Sequence, residues 1–226
     1  MVQQQVVEAT HRQLPPGKMS YEEFLNWANE DTLAEWVDGE VVMLSPASDR
    51  HQDLADFLTS VLRLYATSRD LGWVRSAPFQ MKTGPHLPGR EPDVLFLHKE
   101  HLGRLRDTYL DGPADLVVEI VSPESVGRDR GDKFYEYAQG GVREYWLIDP
   151  QIEWADFYRL EGERYRPAFS GERGTYHADV LPDFWIRVEW LWQDPLPSPI
   201  RAVAEIAGVD PALVDAFERA LRGERG

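Results

Sequence analysis

Apolar positions along the chain fall into two periods. Between residues 48 and 69 they recur at helical spacing, at Leu54, Ala55, Leu58, Val61, Leu62 and Tyr65. This predicts an amphipathic helix of about five turns. Elsewhere the runs are short and β-branched. Residues 115–150 organise the rest. Leu116, Val117, Val118, Ile120 and Val121 surround one acid, Glu119. Such a run reads as a strand buried on both faces, and a carboxylate inside it is costly unless its charge is compensated. A stretch with helical spacing follows, with Lys133 early in it. A second buried strand runs from Glu144 to Ile148 and stops at Asp149-Pro150. Strand, helix and strand over about 35 residues is the length of a βαβ-type unit.

The flanking segments carry clear punctuation. Ser20 and Glu23 form a capping box opening a helix with Phe24, Leu25 and Trp27 on its apolar face. Asp38-Gly39 lies between two apolar runs and predicts a hairpin over residues 34–44. Residues 72–83 read as one strand bent at Pro78, and 83–90 as a loop. Residues 91–97 read as a strand introduced by Pro92, and 98–114 as a connection. Residues 124–132, rich in acids and arginines, read as a mobile or solvent-facing loop. Residues 154–159, 164–169 and 177–190 are strand-like antiparallel additions. A proline-rich break at 195–199 precedes a helical tail, whose second helix starts at Asp210-Pro211. The expected layout is an α/β (α+β) chain with a flexible N-terminal arm (1–18), one main domain (19–194) and a C-terminal helical tail (195–226).

Composition narrows the class. The 226 residues are 42% hydrophobic, with eight Trp and nine each of Tyr and Phe, enough for a sizeable core or an apolar interface. The absence of Cys excludes disulfides and thiolate metal sites. No stretch approaches the roughly 20 apolar residues of a membrane span, and the N-terminal residues have no signal-peptide pattern. The expectation is a soluble cytoplasmic protein. A net charge of −15 argues against a nucleic-acid partner, because phosphate binding rests on Lys and Arg. A local basic groove or bound metal ions reverse that potential at one site, so the charge alone does not decide.

Asp93 opens one strand and Glu119 lies within another. On neighbouring strands their carboxylates converge, and at about 4 Å they repel by roughly 4 kcal/mol at an effective dielectric near 20. A divalent cation turns this repulsion into attraction. One or two carboxylates suit Mg²⁺ or Mn²⁺, which keep waters and accept phosphate oxygens. A lysine beside them orients water and offsets charge growing on a phosphate. Acid, acid and lysine around a hard metal suit phosphodiester hydrolysis. The structural alternative is that Asp93 caps a turn and Glu119 forms a buried salt bridge with Lys133. His98 and His101 lack further ligands and read as a solvated loop.

Several motifs carry a family resemblance: Glu-Pro-Asp-Val at 91–94, Val-Glu-Ile-Val-Ser-Pro-Glu at 118–124, Arg-Asp at 128–129, Lys133 with Tyr137, and Gly-Val-Arg-Glu-Tyr-Trp-Leu-Ile-Asp-Pro at 141–150. Over residues 19–192 the chain resembles the Uma-type family of restriction-endonuclease-like proteins, within the PD-(D/E)XK nuclease superfamily. The resemblance implies a restriction-endonuclease-like core, a central mixed β-sheet flanked by helices. It implies Asp93 and Glu119 as catalytic metal ligands for Mg²⁺ or Mn²⁺. The residue two after Glu119 is Val121, not the usual Lys, and the resemblance implies that Lys133 takes over the lysine's role. His51, Glu40, Gln80 and Tyr137 are expected to support the same cleft.

The leading expectation is a metal-dependent endonuclease acting on DNA. A nuclease or phosphodiesterase for RNA or another ester, and a non-catalytic interaction protein of the same fold, stand beside it. The apolar tail positions, from Val203 to Leu221, point to a homodimer, the alternative being that this tail folds back onto its own domain.

Overall fold

The computed structural model describes residues 15, 17–29 and 32–223; most of the arm expected at 1–18 lies outside them. The first elements follow their local signals. Helix α1 (Tyr21–Trp27) is closed by the complete Ser20–Glu23 capping box. Strands β1 (Ala34–Val37) and β2 (Glu40–Met43) form the expected hairpin. Both turn residues, Asp38 and Gly39, have positive φ, at 50° and 90°, the backbone that a two-residue Asp-Gly turn requires. Helix α2 (Asp49–Ser68) starts at the Ser48 cap and buries Leu54, Leu58, Val61, Leu62 and Tyr65.

The segment expected as one bent strand is two. Strands β3 (Gly72–Ser76) and β4 (Gln80–Lys82) belong to different sheets. The chain changes sheets at Pro78, which has no N–H to continue a ladder. Strand β5 (Gly89–Arg90) lies in the expected loop and pairs with β1 and β4. Strand β6 (Val94–His98) begins just past Asp93. The connection after it contains a 3-10 turn and β7 (Tyr109–Asp111), which pairs parallel with β4.

The organising unit forms as read. Strand β8 (Leu116–Ile120) is buried throughout, helix α3 (Lys133–Gly140) follows, and β9 (Glu144–Asp149) pairs parallel with β8. Residues 124–132 are not a loop over the cleft. Helical turns begin at Val126 and pass through a π-type turn at Arg128–Asp132 directly into α3. Tyr145 Oη donates to the Asp129 carbonyl at 2.9 Å, fixing that turn from β9.

Strands β10 (Trp154–Glu161) and β11 (Arg164–Gly171) add antiparallel to β9. The 177–190 stretch resolves into a small ribbon, β12 (Thr175–His177) with β13 (Trp185–Arg187), and a 3-10 turn. Helices α4 (Pro199–Ile206) and α5 (Pro211–Leu221) form the tail.

The result is a mixed six-stranded sheet, β11-β10-β9-β8-β6-β3, beside a five-stranded sheet, β2-β1-β5-β4-β7. Two hydrophobic cores cover the faces of the larger sheet. Leu116, Val118 and Ile120 point towards α2, with Ala202 and Ile206 of α4 in the same core. Val117, Leu147 and Tyr145 point towards α3. The period of two puts Glu119 on the α3 face with Val117.

Candidate active site

Pairing between β6 and β8 matches Val94 with Val118, so the next step sets Asp93 opposite Glu119. The Asp93 carboxylate caps the neighbouring strand: Oδ2 accepts from the Ile120 N–H at 2.6 Å, and Oδ1 lies 3.1 Å from His51 Nε2. His51 comes from the first turn of α2. Both residues line a cleft of about 630 Å³ together with Glu91, Glu119, Arg128 and Lys133.

Glu119 is 2% exposed. Its Oε1 accepts from Tyr137 Oη at 2.7 Å, and its Oε2 lies 3.0 Å from Lys133 Nζ. Asp129, Lys133 and Tyr137 stand four residues apart, so one helical face delivers all three to the same carboxylate region. Lys133 is 3.1 Å from Asp129 Oδ1 and 3.3 Å from Glu35 Oε1. It therefore serves three carboxylates, Glu119 of the expected acid pair together with Asp129 and Glu35.

Glu35, in β1, is fully buried. Arg90 holds it through Nη1 at 2.8 Å while its Nε and Nη2 grip Glu136 at 2.7 and 2.8 Å. This guanidinium bridge ties β1 to α3 across the two sheets. Glu91, next to Arg90, is 4% exposed, and its Oε2 has no hydrogen-bond partner. Gln80 supports it from behind and donates to the Ala34 carbonyl at 2.7 Å.

Burial and charge shift these groups in a consistent pattern. Burial, with repulsion from Glu35, pushes Glu91 up to about 7. Burial raises Glu119 well above the carboxylate range; Lys133 opposes this, and Asp129, Asp93 and Glu35 reinforce it. Burial disfavours the Lys133 ammonium, but Glu119, Glu35, Asp129 and Asp93 outweigh it and raise its pKa. The surrounding acids thus hold the ammonium in its charged form. Burial likewise works against charge on His51, and Asp93 overcomes it. For Glu35, Lys133 and Arg90 overcome burial and lower its pKa.

The cleft is thus acidic. Asp93, Glu119, Asp129, Glu35 and Glu91 surround Lys133, Arg90 and His51. Among the described residues no group of three or more His, Asp or Glu is arranged as a metal cage. Mg²⁺ does not require one, since it binds through one or two carboxylates and keeps waters. Asp93 and Glu119 are the two acids of the cleft that could supply such a donor set.

Of the residues singled out in sequence, Asp93, Glu119, Lys133, His51 and Tyr137 meet at this cleft, and Gln80 stands behind it. Glu40 does not join them: it is exposed on β2, on the far side of the hairpin. The residue of that hairpin that reaches the site is Glu35. Its signal was the one that marked Glu119, an acid between apolar residues Ala34 and Trp36 of a strand. Asp129 was marked only as part of the Arg-Asp motif of the resemblance, with no role given to it, and Arg90 had no local signal. His98 and His101 lie elsewhere; His101 Nδ1 is 2.9 Å from the buried Asp115.

Residues 21–189 match a family model described as "Uma2: Putative restriction endonuclease". Among solved structures, the chain is similar to "a putative nuclease belonging to DUF820 from Anabaena variabilis", with a TM-score of 0.64 and 15% identity. That similarity covers 77% of this chain and 97% of the other, and at this identity it speaks for the fold. No curated protein matches. The family match spans well over half of the sequence, and the chain belongs to the Uma2 family, which carries the description just quoted.

Proposed function

We propose that this protein is a metal-dependent endonuclease that hydrolyses DNA phosphodiester bonds at the Asp93–Glu119 cleft. The observation that carries this reading is the pairing of β6 with β8, which sets the two acids side by side with Lys133 on Glu119. Asp93 and Glu119 would hold Mg²⁺ or Mn²⁺, and the cation would relieve their repulsion. When bound, the ion acidifies water and polarises a phosphoryl oxygen.

The chain's own residues prepare the rest. The Ile120 N–H and His51 fix the Asp93 carboxylate from two directions. Tyr137 fixes Glu119 and, with its own pKa raised by burial and by Glu119, remains a neutral donor. Lys133 acts as a charged donor, not as a base, because its acidic neighbours hold its proton. It orients the attacking water and offsets charge growing on the phosphate.

The protein acts as a homodimer in this reading. Helix α5 leaves Leu213, Phe217 and Leu221 65%, 53% and 64% exposed, and a second copy covers that apolar face.

Cleavage assays with DNA, RNA and a small phosphodiester, each with Mn²⁺ or EDTA, test the reaction and its substrate. Metal-dependent DNA cleavage is the expected result. Activity confined to RNA or to the small ester overturns the substrate, and no activity on any of them overturns the enzyme.

A further inference from the structure

Four cationic side chains line the cleft, and three of them are already engaged. Arg50 donates to the Gln193 and Leu191 carbonyls at 3.0 and 2.6 Å, joining α2 to the C-terminal 3-10 turn. His51 is paired with Asp93, and Lys133 with three carboxylates. Arg128 is different. Among the described residues its side chain forms no hydrogen bond or ion pair, and its buried Nε has no partner. Acids stand close in sequence, Glu124 four residues before and Asp129 immediately after, yet neither binds it.

A buried guanidinium N–H without an acceptor costs free energy that the fold alone does not return. Arg128 is held there by the π-type turn it begins, whose Asp129 carbonyl is pinned by Tyr145. An acceptor arriving from outside satisfies it, and a phosphate matches a guanidinium with two parallel hydrogen bonds.

We propose that Arg128 binds a backbone phosphate of the nucleic-acid substrate, making a carboxylate-lined cleft in a −15 protein receptive to a polyanion. The proposal rests on the nuclease reading above. Arg128 contacts the substrate backbone and carries no base specificity.

The test is the salt dependence of binding to a short labelled DNA duplex, followed by fluorescence anisotropy in EDTA so that no cleavage intervenes. One phosphate contact contributes about 0.9 to the slope of log affinity against log salt. Arg128→Gln is expected to weaken binding to unrelated duplexes to the same extent and to reduce the slope by about 1. Arg128→Lys is expected to keep the slope and lose only part of the affinity, because the charge remains and the fork does not. The melting temperature of neither variant falls below the wild-type value. An unchanged slope in Arg128→Gln overturns the phosphate contact, while wild-type binding leaves the nuclease reading standing. A fall in melting temperature with an unchanged slope gives Arg128 a structural role and also overturns it. A wild type that binds no DNA overturns the phosphate contact, and the cleavage assay with Mn²⁺ decides the nuclease reading separately.

Discussion

Replacing Lys133 with Met removes the one ammonium among Glu119, Asp129 and Glu35, whose side chains are 3%, 1% and 0% exposed. Met keeps most of the volume, so the change is electrostatic. Removing one partner of a buried ion pair costs about 3–5 kcal/mol, chiefly through the charge left behind. Here the orphaned acids retain some help: Arg90 still holds Glu35, and Tyr137 still donates to Glu119. The loss therefore falls near the lower limit, about 3 kcal/mol, which lowers the melting temperature of a chain of this size by roughly 6–12 °C. Calorimetry at neutral pH measures it, with Glu119→Gln as second variant. In the double variant the amide leaves one fewer orphaned charge, so the two losses add to less than their sum by about 1 kcal/mol. Activity of Lys133→Met is then compared at a temperature where the variant is folded, and most of it is lost. A melting temperature within about 2 °C of wild type, with no coupling to Glu119→Gln, refutes the account of Lys133 as the neutraliser of a buried acidic cluster.

Further outcomes follow from the same geometry. Mn²⁺ stabilises the wild type, by about 2.7 kcal/mol at a hundredfold excess over its dissociation constant. Asp93→Asn and Glu119→Gln fold normally and lose that thermal shift; an unchanged shift in both places the ion elsewhere. Glu35 has a lowered pKa in the fold, so its contribution to stability is present above its ordinary value of 4.5 and is lost as pH falls through the folded value. The urea midpoints of wild type and Glu35→Gln are expected to differ most near neutral pH and to converge in acid; a gap that widens in acid reverses the sign. Light scattering gives a dimer for the wild type and a monomer after Leu213, Phe217 and Leu221 are replaced by Ser. This is a cleaner test than ending the chain at Asp194, which also strips Ala202 and Ile206 from the core.

What was legible in the sequence was what local chemistry decides. The Ser20 box, the Asp38-Gly39 turn, the α2 stripe and the β8–α3–β9 unit each depend on residues close in the chain. That Asp93, Glu119, Lys133 and Tyr137 come together was also legible, Glu119 from an acid in an apolar strand and Asp93 from its place at a strand start, Lys133 and Tyr137 chiefly from the family resemblance. The remaining features depend on distant partners. Glu35 matters only because β1 lies across from α3, and Arg90 only because it bridges Glu35 to Glu136. Residues 124–132 looked like a loop because two glycines and five charged residues mask a helical turn. That turn is fixed by Tyr145 from β9 and by the Asp129–Lys133 contact. The split between β3 and β4 came from sheet pairing, with β4 recruited by β5 and β7, and no residue between Gly72 and Lys82 encodes those partners.

The central claim is that Asp93 and Glu119 hold a metal ion that hydrolyses DNA. Its most direct measurement is cleavage of a labelled duplex by wild type and Asp93→Asn, each with Mn²⁺ and with EDTA, beside the melting temperature of both proteins. The account predicts cleavage by the wild type with Mn²⁺ alone, and none by a well-folded Asp93→Asn. Cleavage that survives EDTA, or that proceeds equally in Asp93→Asn, contradicts it.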